Sequence, residues 1–253
     1  MKLSITANKL INFAKKLAAV LFWIAAWQIL FFAVNNEFLI ASPMNVAARL
    51  FELCGTLAFW QSALSSVLRV LLGFAVGVIT GALLAWAVVF IPVADELISP
   101  AVRVIRSMPV ASFIILALIW IKTNSVPLFI YFLMVLPVVF ENVREGFLQA
   151  PIQLLQTAKV FSLSPWKTFI TVRIPAVKPH FVSAFISALG LAWKSGIAAE
   201  VLCLPKQSIG YELYSSKIYL ETTDLFAWTA VVILLSMLIE KVLVTLLRRA
   251  LMK

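Results

Sequence analysis

The chain has 253 residues, 63% of them hydrophobic and 13% charged, with a mean hydropathy of +1.03. Soluble domains are about half apolar and about a quarter charged, so this composition excludes a soluble globular protein and implies a polytopic membrane protein. The formal net charge of +10 would suit nucleic acid, but the basic residues cluster at the ends of apolar runs rather than on one soluble face, and that partner is excluded.

Taken in order, residues 1–16 carry Lys2, Lys9, Lys15 and Lys16 and read as a short cytoplasmic N-terminus. The remainder, 17–253, reads as a single transmembrane domain. The apolar run 17–34 is long enough to span. It is longer than the apolar core of a signal peptide and no clear small-residue cleavage site follows, so it is expected to stay as a first span. Ser42-Pro43 opens a helix over 43–53, too short and too polar to cross, expected at the outer interface. A second span covers 62–90. Within it Ser65, Arg69, Gly73, Gly77, Gly81 and Ala85 recur every four residues. Such a stripe admits a close helix partner, either in a second copy or within the same subunit.

Residues 91–108 read as a cytoplasmic connection. A third span is expected over 109–121, a tight outer turn over 122–125, and a fourth span over 126–140, kinked at Pro127 and Pro137. The fifth span is expected over 179–203, an outer loop over 204–224, and the sixth span over 225–246. On the fifth, Ser183, Ser187, Gly190 and Lys194 fall at i, i+4, i+7 and i+11, near one helix face. Trp193, Ile197 and Glu200 share another.

The basic residues test this topology. Lys2, Lys9, Lys15, Lys16, Arg103, Arg106, Arg144, Lys159, Lys167, Arg173, Lys178, Lys241, Arg248, Arg249 and Lys253 fall inside. Arg49, Lys122, Lys206 and Lys217 fall outside, and Arg69 and Lys194 lie within spans. The inside excess satisfies the positive-inside rule with both termini cytoplasmic.

Little here can do covalent chemistry. There is no phosphate-binding Gly-x-x-x-x-Gly-Lys-Ser/Thr loop and no His-Glu-x-x-His helix. His180 is the only histidine and has no ligand cluster, so no metal is expected. Cys54 and Cys203 could bridge near the outer face, although ordinary thiols are the expected reading. Arg69, Lys194 and Glu200 are the ionisable residues counted within spans. Such residues mark function by default. For Arg69 and Glu200 the competing reading is that they snorkel to the outer interface; Lys194 lies deeper and is the stronger candidate for a cationic pathway lining.

The stretch 150–178 carries Lys159, Lys167, Arg173 and Lys178 and no acid. Pro151 and Pro165 each suit a first helical position, and Ser164 is a good N-cap. Two short helices with a break near 161–164 are expected on the cytoplasmic face, between two spans. Its motif is Gln156-Thr157-Ala158, three residues, Ser162, nine residues, then Val172-Arg173-Ile174-Pro175. This spacing resembles the coupling loop of binding-protein-dependent ABC importer permeases, whose pattern is Glu-Ala-Ala, three residues, Gly, nine residues, Ile-x-Leu-Pro. Ser162 in place of Gly is the departure that matters, because Gly enters the left-handed region at little cost; a differently shaped turn is expected. Further stretches, Leu39 to Pro43, Leu68 to Phe74, Ala192-Trp193, Ala199-Glu200 and Ile209-Gly210-Tyr211, resemble the nitrate, sulfonate and taurine branch.

The resemblance implies an all-α type I importer permease fold of six spans per subunit. It implies a second permease copy, a homodimer by default, two copies of a cytoplasmic ABC ATPase that carry the ATP and Mg, an extracytoplasmic solute-binding protein, and surrounding membrane lipid. The solute class it implies is a small anion or vitamin-like compound. It assigns ATPase coupling to Gln156, Thr157, Ala158, Lys159, Phe161, Ser162, Leu163, Ser164 and Pro165. Pathway candidates are Ser183, Ser187, Gly190, Trp193, Lys194, Glu200 and Arg69, and Gly73, Gly77 and Gly81 are packing residues. An acidic substitution at Ala158 is expected to break coupling without unfolding the spans. A self-sufficient channel or secondary transporter is the alternative; it would need an ion relay, and the spans supply few acids, essentially Glu200.

Overall fold

The computed structural model describes residues 2–251, with side chains over 14–250 apart from residue 16. The basic side chains of Lys2, Lys9 and Lys16, and Lys253 as a whole, lie outside the described residues. Among the described residues every regular element is helical. The chain forms two compact units. One joins the first 59 residues to Glu212–Val231; the other holds Trp60–Tyr211 and the chain from Val232 onward.

In the first unit, α1 (Lys2–Val34) contains the apolar stretch Leu17–Val34. Asn35 ends it at φ 47°, a left-handed cap that Asn tolerates. Helix α2 (Pro43–Cys54) starts where the sequence places it: the Ser42 hydroxyl accepts from the Asn45 N–H at 3.1 Å, and Pro43 occupies the first helical position. Met44 and Phe51 are 76% and 84% exposed, as an interfacial helix requires. The Arg49 guanidinium forks onto Asp224, with Nε–Oδ1 2.6 Å and Nη2–Oδ2 2.9 Å. Two-pronged geometry of this kind fixes orientation as well as charge. Trp27 Nε1 donates to the Ala41 carbonyl at 3.1 Å and its ring stacks on Phe226.

The second unit begins with most of α3 (Leu57–Phe90). Residues 91–108, expected as a connection, form the helix α4 (Pro92–Ser107). The expected third span is α5 (Val110–Trp120), only 11 residues. At 1.5 Å per residue it covers about half of a hydrocarbon core of about 30 Å. It meets α4 at 109°, so a sixth crossing exists only as this bent pair; five other helices are long and apolar enough to cross alone. Arg106 of α4 pairs with Glu141, and Arg144 pairs with Asp95 at 3.3 Å.

Helix α6 (Val126–Leu148) runs unbroken past Pro137 and past its expected end at residue 140. It is buried along its length, from Val126 and Ile130 to Val143 and Phe147. It packs extensively against α9 (Ile174–Cys203). The α3 glycine stripe also faces it. A Cβ on Gly73 would lie 2.5 Å from Tyr131 Cβ, one on Gly77 2.7 Å from Val135 Cβ, and one on Gly81 2.8 Å from the Leu136 carbonyl. The stripe is therefore an intrasubunit seam, which decides between the two readings of the sequence.

Three shorter elements complete the unit. These are α7 (Ile152–Val160), α8 (Pro165–Thr168) and a π-helical turn, Phe169–Arg173, that runs directly into α9. The π turn is marked by the Ile174 N–H bonding back to the Phe169 carbonyl. Pro175 has no N–H to offer the Thr171 carbonyl, which favours such a register change. The expected outer loop 204–224 contains α10 (Ile209–Ile218), and α11 (Thr222–Leu251) closes the chain.

The glycine seam predicts a steep size dependence. Gly77→Ala should cost about 1–3 kcal/mol by overpacking against Val135, read as a lower thermal midpoint in detergent, and Gly77→Leu should prevent accumulation of folded protein. An unchanged midpoint for both would show that α3 does not rest on α6 there.

Candidate functional site

The stretch between α6 and α9 is a helical knob. Pro151 caps α7 rather than starting it. At its other end Phe161 is the cap and Ser162 stands at φ 52°. The Ser162 N–H bonds to the Lys159 carbonyl at 3.0 Å and the Leu163 N–H to the Ala158 carbonyl at 2.9 Å. This pair of bonds is the Schellman closure that Gly ordinarily provides. The turn thus keeps the left-handed shape despite Ser162, contrary to the expectation of a different one. The cost is the steric strain of a Cβ in that region, about 1 kcal/mol. Ser164 then turns extended and its hydroxyl accepts from the Lys167 N–H at 3.3 Å, starting α8 at Pro165.

Two faces of α7 separate by helical spacing. Leu154, Thr157 and Phe161 are exposed on one, and Val160 and Trp166 add apolar surface beside them; Phe161 and Trp166 are 73% and 70% exposed. Ile152, Leu155, Gln156 and Lys159 share the other. Ala158 is buried, so Ala158→Glu would break the knob itself rather than only a docking face. The knob is rooted in stacked aromatics: Trp166 on Phe169, Phe169 on Phe147, and Phe90 edge-on to both Phe147 and Phe169. The Arg173 guanidinium lies 4.7 Å from the Phe90 ring centroid. The ends of α3, α6 and α9 are thereby locked to α8.

At the far end of α9 the structure brings together Arg69 and Glu200. Glu200 is fully buried and does not snorkel. Its Oε2 accepts from the Ser66 hydroxyl at 2.6 Å and the Gly210 N–H at 3.3 Å; its Oε1 faces Arg69 Nη1 at 3.4 Å. Ser66 in turn accepts from the Ile209 N–H at 2.9 Å, and Ser208 accepts from Tyr211 at 3.0 Å. The carboxylate and two hydroxyls thus satisfy the first N–H groups of α10, where negative charge is favoured. Arg69 also donates to the carbonyls of Lys206 and Gln207. Leu204 and Gln207 are both left-handed, at φ 53°, so this loop is held in a strained shape by its partners. Gly210 is needed because a Cβ there would sit 2.3 Å from Glu200 Cβ. Three stretches singled out by sequence, around Arg69, Glu200 and Gly210, form one network.

The other candidates divide. Ser183, Ser187 and Lys194 are exposed on one face of α9 with half-buried Gly190. Trp193 is buried on an adjacent face and donates from Nε1 to the Val232 carbonyl at 3.2 Å; it packs within the subunit. Glu240 of α11 borders the recess beside Gly190 and Trp193. The count of acids within spans missed it, although its place inside the expected sixth span, beside Lys241, was the available signal. No disulfide joins Cys54, exposed, to Cys203, buried. The His180 Nε2 faces Gln149 Oε1 at 3.1 Å.

A family model described as "Binding-protein-dependent transport system inner membrane component" matches residues 73–253. The chain belongs to this family. It is a multi-pass inner-membrane permease component, not an enzyme, with an all-α polytopic fold. It is 29% identical over 159 residues to the bicarbonate transport system permease protein CmpB of Synechocystis sp., covering 62% of this chain and 56% of that relative. To the nitrate import permease protein NrtB of Synechococcus elongatus it is 25% identical, covering 77% and 73%. To the taurine transport system permease protein TauC of Escherichia coli it is 23% identical, covering 88% and 83%.

The permease geometry gives two predictions. Ser162→Gly should remove about 1 kcal/mol of backbone strain, slowing hydrogen exchange of the Ser162 and Leu163 amides roughly fivefold; faster exchange would mean that the side chain holds the turn. Glu200→Ala should cost about 3–5 kcal/mol, because Arg69 keeps a half-buried charge without its partner. The same change should accelerate proteolytic nicking at Lys206, and Glu200→Gln, which retains acceptor capacity for Ser66 and Gly210, should nick more slowly than Glu200→Ala. Equal nicking of both variants and the parent would remove Glu200 from control of the loop.

Proposed function

We propose that this chain is the membrane-spanning subunit of an ATP-driven importer, and that the knob 150–178 docks on a cytoplasmic ATPase. The observation that carries the reading is the exposed Leu154, Thr157, Phe161 and Trp166 surface on a rigid two-helix element rooted in the ends of three membrane helices. Exposed aromatics on a preorganised support are suited to anchoring a partner. The aromatic root would carry a push on the knob into α3, α6 and α9. ATP and Mg would sit on the partner, since this sequence has no phosphate loop.

The remaining parts follow from the same reading. Two ATPase copies, an extracytoplasmic binding protein and a second permease copy complete the importer, and both termini lie on the cytoplasmic side with the inside excess of Lys and Arg. The solute is a small anion. Named relatives handle bicarbonate, nitrate and taurine, each bearing an anionic group. Lys194 supports this choice. It is exposed in the single subunit and shares its face with Ser183 and Ser187, and a cation at that depth must meet water or protein rather than lipid.

A mild-detergent pull-down with mass spectrometry tests the reading. The parent chain should bring down a soluble ATPase. Phe161→Asp should reduce that recovery by on the order of tenfold or more while the permease keeps its thermal midpoint. Recovery of the permease alone, under conditions that preserve other such complexes, would overturn the importer reading.

A further inference from the structure

The face of α7 turned away from Phe161 borders a cavity of about 550 Å³. Its walls combine Ile152, Leu155 and Lys159 of α7 with Phe90, Phe169 and Arg173. Phe90 is the last residue of α3, and Phe169 and Arg173 belong to the turn that enters α9. The cavity therefore sits where two membrane helices end, at the level of lipid headgroups.

Its chemistry is two-sided. Phe90, Ile152, Leu155 and Phe169 form an apolar wall, and Lys159 and Arg173 supply two cations. No acid lines it, and the whole stretch 150–178 carries four basic residues and no acid. Among the described side chains, neither Lys159 nor Arg173 has an ion-pair partner. An apolar slot with uncompensated cations at a membrane edge complements an amphiphile with an anionic head.

We propose that this cavity is a binding site for an anionic phospholipid. The phosphate of the headgroup is held between Lys159 and Arg173, and the first carbons of an acyl chain lie along Leu155, Ile152 and Phe169. Arg173 is the better placed of the two, because its stacking on Phe90 holds the guanidinium in one orientation for the phosphate. The occupant is a lipid rather than a segment of the ATPase, because the walls include the membrane ends of α3 and α9 and the slot opens on the face of α7 opposite Phe161. The inference builds on the proposed cytoplasmic placement of the knob, and assigns the site to that leaflet.

The test is native mass spectrometry of the full-length chain taken from nanodiscs of phosphatidylglycerol or of phosphatidylcholine. Phosphatidylglycerol should stay bound to the parent chain and phosphatidylcholine should not. Lys159→Gln, at an exposed position that leaves the fold intact, should reduce retained phosphatidylglycerol at least fivefold. Leu155→Trp, which fills the apolar end, should reduce it without removing a charge. Equal retention of the two lipids, or no change in either variant, would overturn the site. So would competition by millimolar inorganic phosphate alone that displaces the lipid completely, since the apolar wall would then contribute nothing. Co-purification of the ATPase is scored on the same samples. If Lys159→Gln loses the ATPase while lipid retention is unchanged, the slot belongs to the ATPase and the lipid site is overturned. If lipid retention behaves as stated and no ATPase is recovered from any sample, the importer reading fails and the lipid site stands.

Discussion

Close approach of helix backbones to α6 is the constraint on which the second unit depends. In hydrocarbon, apolar side chains gain little by leaving lipid for protein, so helices associate through packing and small residues rather than hydrophobic burial. Gly73, Gly77 and Gly81 let α3 lie against α6 at distances that no Cβ would allow. Gly196 does the same on α9, where the Tyr131 ring occupies the space a side chain would take. Tyr131 is thus wedged between two glycines from two helices. A helix buried on so many sides fixes the spacing of its neighbours, and with it the points from which the knob and the Glu200 network hang.

Those two attachments sit at opposite ends of α9 and use different physics. At one end the aromatic group of Phe90, Phe147, Phe169 and Trp166 relies on shape and dispersion, with one cation resting on a ring. At the other end a buried carboxylate collects a hydroxyl, a backbone N–H and a guanidinium. The aromatic root tolerates small sliding while staying in contact. The charged network is directional, because a displaced partner leaves a buried charge unsatisfied. The Glu200 end of α9 therefore resists partial displacement.

The spans were legible in the sequence because a membrane imposes a simple rule on length and apolarity. Leu17–Val34 and the C-terminal end of α3 fall where hydropathy places them, while α3 starts at Leu57, five residues before the expected span; Ser42 and Ser164 act as the N-caps their chemistry predicts. Errors fall where length, rather than apolarity, decides. Residues 109–121 are apolar enough to span but form only the short arm of a bent pair. The loop 204–224 hides a helix whose start is specified by Ser66, far away in sequence, and by Glu200 of the preceding helix, together with Ser208. Ser208 is the one local signal for it. The glycine stripe announced a close contact without naming the partner, and the burial of Trp193 and Glu200 could not be told from a pathway-facing position by spacing alone.

The π-helical turn ties the length of this segment to the orientation of α9. From Pro165 to Cys203 the backbone is helical without interruption, so each residue between the knob and α9 contributes to azimuth as well as to length. One residue more or less would turn α9 by about 100° relative to the knob, exchanging the face of Lys194 for that of Glu200. The nine-residue spacing between Ser162 and Val172 is in this sense a measure of angle. It sets which side of α9 is presented for a given orientation of the knob.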